Sequence, residues 1–275
     1  MNLLFDIGGS KIRIARAASR DTFDTPVVIP TPQKFDEAMV AIRETVRSIT
    51  KGSAVEYAVG GLPGVRDVDG NLFNWTNVPD WEGKPIASSL KEAFGAQMLV
   101  LQNDASVVGL GEAAYGAGKG YHIVAYVTIS TGVGGGKIVD CKIDPSSIGF
   151  EPGHQLIDGR DGAVELESVV SGRSIHKRFG KHPRDISKDD PIWRELAKPL
   201  AQGLHNIRVT WSPDVFVLGG SMIIGDPAIS IDAIEKEFLT LPHIFPKQPI
   251  IKKAELGDFG GLYGALKLIE SNVNN

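Results

Sequence analysis

Apolar residues run through 3–7 and 12–17, with a short glycine-bearing polar stretch between them, and again between Pro26 and Pro30. From 35 to 49 they recur at helical spacing, and Tyr57-Ala58-Val59 is apolar once more. That succession predicts strand, strand, strand, helix, strand: a mixed sheet with helices packed against it. Gly60-Gly61-Leu62-Pro63-Gly64 ends the fourth strand, and 65–73 reads as a small hairpin turning at Asp69-Gly70. After a polar and aromatic loop over 74–83 come a helix near 85–94, the strand Met98-Leu99-Val100-Leu101 and helical spacing over 105–115.

A second set of elements follows the same plan. An apolar strand at 123–129 enters the turn Ser130-Thr131-Gly132-Val133-Gly134-Gly135-Gly136-Lys137, and a short strand, Ile138-Val139, leaves it. Helical periodicity covers 193–211, and Val215-Phe216-Val217-Leu218 reads as a buried strand that ends in Gly219-Gly220-Ser221. A helix around 229–239, a strand near Ile250-Ile251 and a helix opened by Gly260-Gly261 complete the pattern.

With 275 residues, 42% of them hydrophobic and 23% charged, the chain can bury one large core or two smaller ones. A net charge of -4 supplies no basic field, which argues against nucleic acid or an anionic membrane as partner and favours small molecules. Cys141 is the single cysteine, so neither a disulfide framework nor a thiolate metal cluster is available, as expected for a reducing compartment. No apolar run reaches membrane-spanning length and no cleavable leader pattern opens the chain; the cytoplasm is the expected location.

The chemistry begins at Asp6-Ile7-Gly8-Gly9-Ser10-Lys11. An acid ends the strand, two glycines let the backbone approach an anion, Ser10 brings a hydroxyl and Lys11 a point charge. Taken alone, the same turn could close an ordinary hairpin with nothing bound. Its repetition at 130–137, again a strand running into hydroxyls and glycines, makes two phosphate turns facing each other across a cleft the better reading. Gln102-Asn103-Asp104 stands at a strand's carboxyl end, where open α/β sheets place ligand groups, and Asp104 reads equally as a helix N-cap.

These residues resemble the ROK group of sugar kinases and repressors, within the actin-like, hexokinase-like ATPases. Asp6 to Lys11 resembles the family's first phosphate motif with serine in place of threonine; Asn103-Asp104-Ala105 with Gly111-Glu112 resembles its catalytic segment, and 130–136 its second phosphate motif. Glu151-Pro152-Gly153-His154 is similar to its sugar motif, and Leu218-Gly219-Gly220-Ser221 to its adenosine loop. The resemblance covers nearly the whole chain. It implies an α/β fold of two lobes, the ribonuclease H-like actin ATPase fold, with mixed sheets flanked by helices and a ligand cleft between lobes at 1–103, joined by 260–275, and 104–259. Because the chain opens on the first phosphate strand, with no room for a helix-turn-helix module, an enzyme is expected over a repressor.

The resemblance further implies ATP with Mg²⁺ as cofactors, a sugar as substrate and a homodimer. Asp104 would be the general base for an attacking hydroxyl, gripped together with Asn103; Glu151, His154 and Glu167 would bind neighbouring hydroxyls. Gly8, Gly9, Ser10, Thr131 and Gly132 would hold phosphates, Gly219 and Gly220 the adenosine, and Asp6 would act on Mg²⁺ through water. Lys11 would contact phosphate or form a salt bridge at the strand edge. One departure stands out: where the family has three cysteines that bind zinc with the sugar-motif histidine, this chain has Asp158, Arg160 and Glu165. No zinc is expected, His154 is left to bind sugar or to serve the turn, and Asp158 and Glu165 read as solvated or paired with Arg160. A non-catalytic sugar sensor, or a kinase of another polyol or modified sugar, are the competing readings, and Asn77 is a further candidate for sugar contact.

Overall fold

The computed structural model describes all residues except 20, 67–70, 74–77, 147–148, 159–161 and 274–275. The expected turn at Asp69-Gly70, Asn77 and Arg160 lie outside the described residues. The chain divides into two compact units, the first formed by 1–111, 145–149 and 258–275, the second by 112–144 and 150–257.

In the first unit, β1 (Asn2–Ile7) and β2 (Lys11–Arg16) form a hairpin that β3 (Val27–Pro30) extends; after α1 (Phe35–Thr50) come β4 (Val55–Leu62), the two-residue strands β5 (Val65–Arg66) and β6 (Leu72–Phe73), α2 (Ile86–Phe94) and β7 (Ala96–Asn103). The main sheet runs β3-β2-β1-β4-β7, with β1 antiparallel to β2 and parallel to β4, and β4 parallel to β7. β1 and β4 are nearly continuous apolar runs because both lie inside the sheet; Leu3, Phe5 and Ile7 pack with Phe35, Ile42, Leu90 and Phe94 from the two helices. α3 (Asp104–Tyr115) begins where β7 ends, and the division between the units falls within it.

The second unit repeats the layout. β8 (Ile123–Ile129) and β9 (Val133–Val139) form a hairpin extended by β10 (Lys142–Ile143). A two-stranded ribbon of β11 (Leu156–Asp158) and β12 (Val164–Glu165) leads through α4 (Leu166–Val170) and α5 (Gly172–Phe179) to α6 (Ile192–Glu195) and α7 (Ala197–Trp211). Then follow β13 (Val215–Gly219), α8 (Ser221–Ile224), α9 (Ile231–Thr240) and β14 (Ile250–Lys253). The sheet order is β10-β9-β8-β13-β14, with β8, β13 and β14 parallel, so each unit carries an antiparallel ribbon continued by two parallel strands. Val127, Ile129, Phe216 and Leu218 pack with Leu200 and Leu204 of α7 and Phe238 of α9. α10 (Gly260–Val273) belongs again to the first unit.

Two elements differ from the sequence reading. The helix expected over 193–211 is two helices that meet at Leu196, because Pro199 in the first turn of α7 has no N–H to continue the ladder. Gly134, Gly135 and Gly136 of the second turn lie in β9, leaving only 130–132 as turn. A Cβ at Gly135 would stand 2.6 Å from the Tyr126 carbonyl oxygen and 2.8 Å from Pro152 Cγ, so the bare strand face is what lets the Pro152 turn pack down. No helix among the described residues is long and apolar enough to cross a membrane.

Glu112 is the one buried carboxylate residue of the described core, 1% exposed. It accepts hydrogen bonds from the backbone N–H of Ala117 at 2.9 Å, Glu255 at 3.0 Å and Leu256 at 2.9 Å. The resemblance assigned this residue to a catalytic segment; its contacts are those of an anchor for two loops.

Candidate active site

The turn at 8–11, read from the sequence as a phosphate turn, is tied from both sides. Gly8 N–H donates to the Lys11 carbonyl at 2.9 Å, closing the hairpin, while the Thr31 hydroxyl donates to the Gly8 carbonyl at 2.6 Å and Thr31 N–H to the Ser10 carbonyl at 3.0 Å. Ser10 and Lys11 remain exposed at the tip. Lys11 lies opposite Pro30 across the β2–β3 ladder and has no salt-bridge partner among the described residues, which leaves its charge to the turn.

Asp6 faces Arg13 directly across the hairpin, with Arg13 Nη1 3.2 Å from Asp6 Oδ2 and Nη2 3.1 Å from Asp258 Oδ2. Asp6 is 16% exposed, and burial pushes its pKa up against the opposing pull of Arg13. A Cβ on Gly261 would stand 2.8 Å from Asp6 Cγ, so the opening of α10 can close on the acid only because a glycine is there. The sequence reading named Asp6 and missed Arg13. The signal was present: a hairpin turning on Gly8 and Lys11 sets 6 opposite 13.

At the end of β7 the cap falls one residue earlier than the N-cap reading of Asp104 had it. Asn103 Oδ1 accepts from Ser106 N–H at 3.1 Å, three residues on, as an N-cap does. Asp104 is the first helical residue and its Oδ1 accepts from Ala105 N–H at 2.8 Å. Both side chains are half-buried. A carboxylate at this point is stabilised by the α3 dipole without carrying the cap itself.

In the second unit the turn at 130–132 is held by its neighbours. Ser130 N–H donates to the Gly132 carbonyl at 2.8 Å; Gly172 N–H donates to the Ser130 carbonyl at 2.7 Å and Arg173 N–H to the Thr131 carbonyl at 3.2 Å. Glu167 Oε2 accepts from Val133 N–H at 2.7 Å, and its other oxygen lies 3.8 Å from Arg173 Nη1. A Cβ on Gly132 would stand 2.6 Å from that same Oε2. Glu167, read from the sequence as a sugar ligand, is in this structure a support of the 130–132 turn.

Glu151, His154 and Glu167 come together here as the sequence reading grouped them, and Glu165 joins them. Glu151 precedes a single 3-10 turn over Pro152–His154, and His154 N–H donates to its carbonyl at 3.1 Å. Local burial raises the Glu151 pKa; His154 pulls it down and Glu167 adds to the rise. His154 Nδ1 lies 3.0 Å from Glu165 Oε2, and that hydrogen bond is the main cause of a raised imidazole pKa, with the charges of Glu165, Glu167 and Glu151 adding to it against burial. Glu165 is thus paired with His154, a partner the sequence reading did not name. At the adenosine loop, a Cβ on Gly219 would stand 2.5 Å from the Tyr126 hydroxyl and one on Gly220 2.2 Å from the Ile129 carbonyl oxygen. Protein packing accounts for both glycines, and their ligand role rests on the resemblance.

The family model described as the ROK family matches residues 3–272. The chain belongs to the ROK family. Among its ROK relatives, a fructokinase of Pediococcus pentosaceus is 26% identical over 288 residues, covering 98% of each chain. An N-acetyl-D-glucosamine kinase of Escherichia coli O1:K1 / APEC is 28% identical over 300 residues, covering 95% of this chain and 96% of its own. A ROK family glucokinase from Streptomyces griseus, solved in complex with glucose and AMPPNP, superposes with a TM-score of 0.78 at 25% identity, covering 97% of this chain and 98% of that one. The two mixed sheets with their flanking helices are the actin-like ATPase fold of these ROK kinases.

The zinc site of the family finds no fit here. Thiolates are absent from the stretch, and the carboxylate at one of the cysteine positions, Glu165, is bonded to the histidine itself. Among the described residues no group of three or more histidine, cysteine, aspartate or glutamate side chains could hold a metal ion.

Proposed function

We propose that this chain transfers the γ-phosphoryl group of ATP to a hydroxyl of a hexose or hexose-derived sugar, with Asp104 as general base. Sugar phosphorylation in general is supported by the ROK kinases this chain is similar to; the acceptor and the base are our reading. The observation that carries it is the placement of Asp104, a half-buried carboxylate at a strand's carboxyl end whose capping duty has passed to Asn103. Phosphoryl transfer needs an acceptor hydroxyl in line with the γ-phosphate, a group that takes its proton, and dipoles or cations around the transferring oxygens.

Asp104 supplies the proton acceptor, while the Asn103 amide nitrogen can donate to the same hydroxyl, its oxygen being engaged by Ser106. Glu151 and His154, with Glu167, offer acceptors and a donor suited to a polyhydroxylated ring. Backbone amides of Gly9 and Ser10, with Gly8 keeping the turn free of a side chain, and those of Thr131 and Gly132 would hold the phosphates with Lys11, and Gly219 and Gly220 would border the adenosine. Mg²⁺, when bound, supplies charge neutralisation on the phosphates; a carboxylate already paired with a guanidinium, as Asp6 is, suits contact through the ion's water shell. A cytoplasmic homodimer completes the proposal.

The test is a sugar-phosphate formation assay over hexoses, hexosamines, N-acylated hexosamines and polyols, run with ATP, where ADP release is followed as well, and separately with polyphosphate as donor. Turnover with ATP and one hexose-type sugar is the expected result. Saturable sugar binding without sugar phosphate from either donor would instead establish a sensor, turnover with polyphosphate alone would replace ATP as the donor, and turnover confined to polyols would move the acceptor class.

A further inference from the structure

We infer that Glu165 is a positioning residue for sugar recognition: it holds the His154 ring by a direct carboxylate–imidazole hydrogen bond, doing without metal what zinc does in the family. The inference rests on the reading of His154 as a sugar ligand. Both backbones that carry the pair are fixed. His154 closes the 3-10 turn whose carbonyl at Pro152 accepts from Gln155 Nε2 at 2.7 Å, and Glu165 pairs with Leu156 in the ribbon while Leu166 N–H donates to the Gln155 carbonyl at 3.0 Å. The Glu165 carbonyl accepts from the Ser168 hydroxyl at 2.7 Å, which pins its other side. Two anchored residues therefore meet at 3.0 Å, and little freedom is left in the ring.

Exposure shows what the bond is for. His154 is 49% and Glu165 42% exposed in their side chains, and pairs this accessible to water add little to stability. What the bond does determine is orientation: with Nδ1 given to the carboxylate, Nε2 becomes the ring atom that can meet a hydroxyl. A zinc ion on one ring nitrogen has the same geometric effect, and a carboxylate on that nitrogen makes the metal dispensable. The rebuilt stretch keeps the histidine aimed while discarding the thiolates.

Steady-state kinetics of Glu165→Ala, Glu165→Gln, His154→Ala and the Glu165→Ala/His154→Ala pair test this on the intact protein, with thermal melts to confirm folding. Glu165→Ala should raise the KM for sugar about tenfold and leave the KM for ATP unchanged, and Glu165→Gln, which keeps an oxygen at the same place, should recover most of the loss. In the double variant the loss should equal that of His154→Ala alone. Unchanged sugar KM in Glu165→Ala, or additive losses in the double variant, overturns the positioning role while leaving the kinase reading intact. Unchanged sugar KM in His154→Ala removes the sugar contact itself and the inference with it. Metal analysis of the purified protein should give no stoichiometric zinc; one full equivalent whose removal by chelator raises the sugar KM overturns the replacement.

Discussion

Replacing Asp104 with asparagine should lower the turnover of sugar phosphorylation by about two to four orders of magnitude, the range that general-base removal commonly costs. The fold should survive, because an asparagine Oδ1 can still accept from Ala105 N–H and the cap belongs to Asn103. Initial rates of ADP release together with circular-dichroism melts separate the two effects. A variant that keeps its melting temperature and turns over within about threefold of the parent would strip Asp104 of the role, since general acid–base contributions are far larger than that.

The second large effect is on folding. α10 crosses α3 with backbone against backbone: a Cβ on Gly264 would stand 1.7 Å from the Val107 carbonyl oxygen, and one on Gly111 2.4 Å from the Gly260 carbonyl oxygen. No rotamer relieves a clash between a Cβ and main-chain atoms of a packed helix; the helices must separate. Gly264→Ala should therefore cost more than about 4 kcal/mol, among the largest single-residue effects and comparable with a domain's whole stability margin. Soluble yield and the urea midpoint measure it. A midpoint close to the parent's would mean that the crossing is looser than the glycines imply.

Much of this architecture was legible from the chain. Apolar runs and helical spacing located β1, β2, β4, β7, β8 and β13 with the helices between them; β1, β4, β8 and β13 are the plainest because interior strands of a parallel-rich sheet are apolar nearly throughout. The two glycine-bearing turns were legible for the same reason: glycines interrupt apolar runs at matching places. What the sequence hid were partnerships that depend on register or on long loops. Arg13 meets Asp6 only once the hairpin is counted correctly. Glu165 reaches His154 across a ribbon that no local pattern announces, and Thr31, 23 residues away, grips Gly8 from just past the edge strand. Pro199 was visible all along as the residue that splits 193–211, but helical spacing of the apolar residues outweighed it.

Glu112 has a consequence for how the molecule breathes. The amide protons of Ala117, Glu255 and Leu256 lie outside helices and strands, where exchange with solvent is ordinarily fast, yet all three end on one sequestered carboxylate. In hydrogen–deuterium exchange they should be protected and should open at one shared rate, two stretches of chain some 140 residues apart moving as a single unit. Glu112→Gln, with one acceptor oxygen in place of two, should release them together while leaving the strand at Ile250–Lys253 as slow as before.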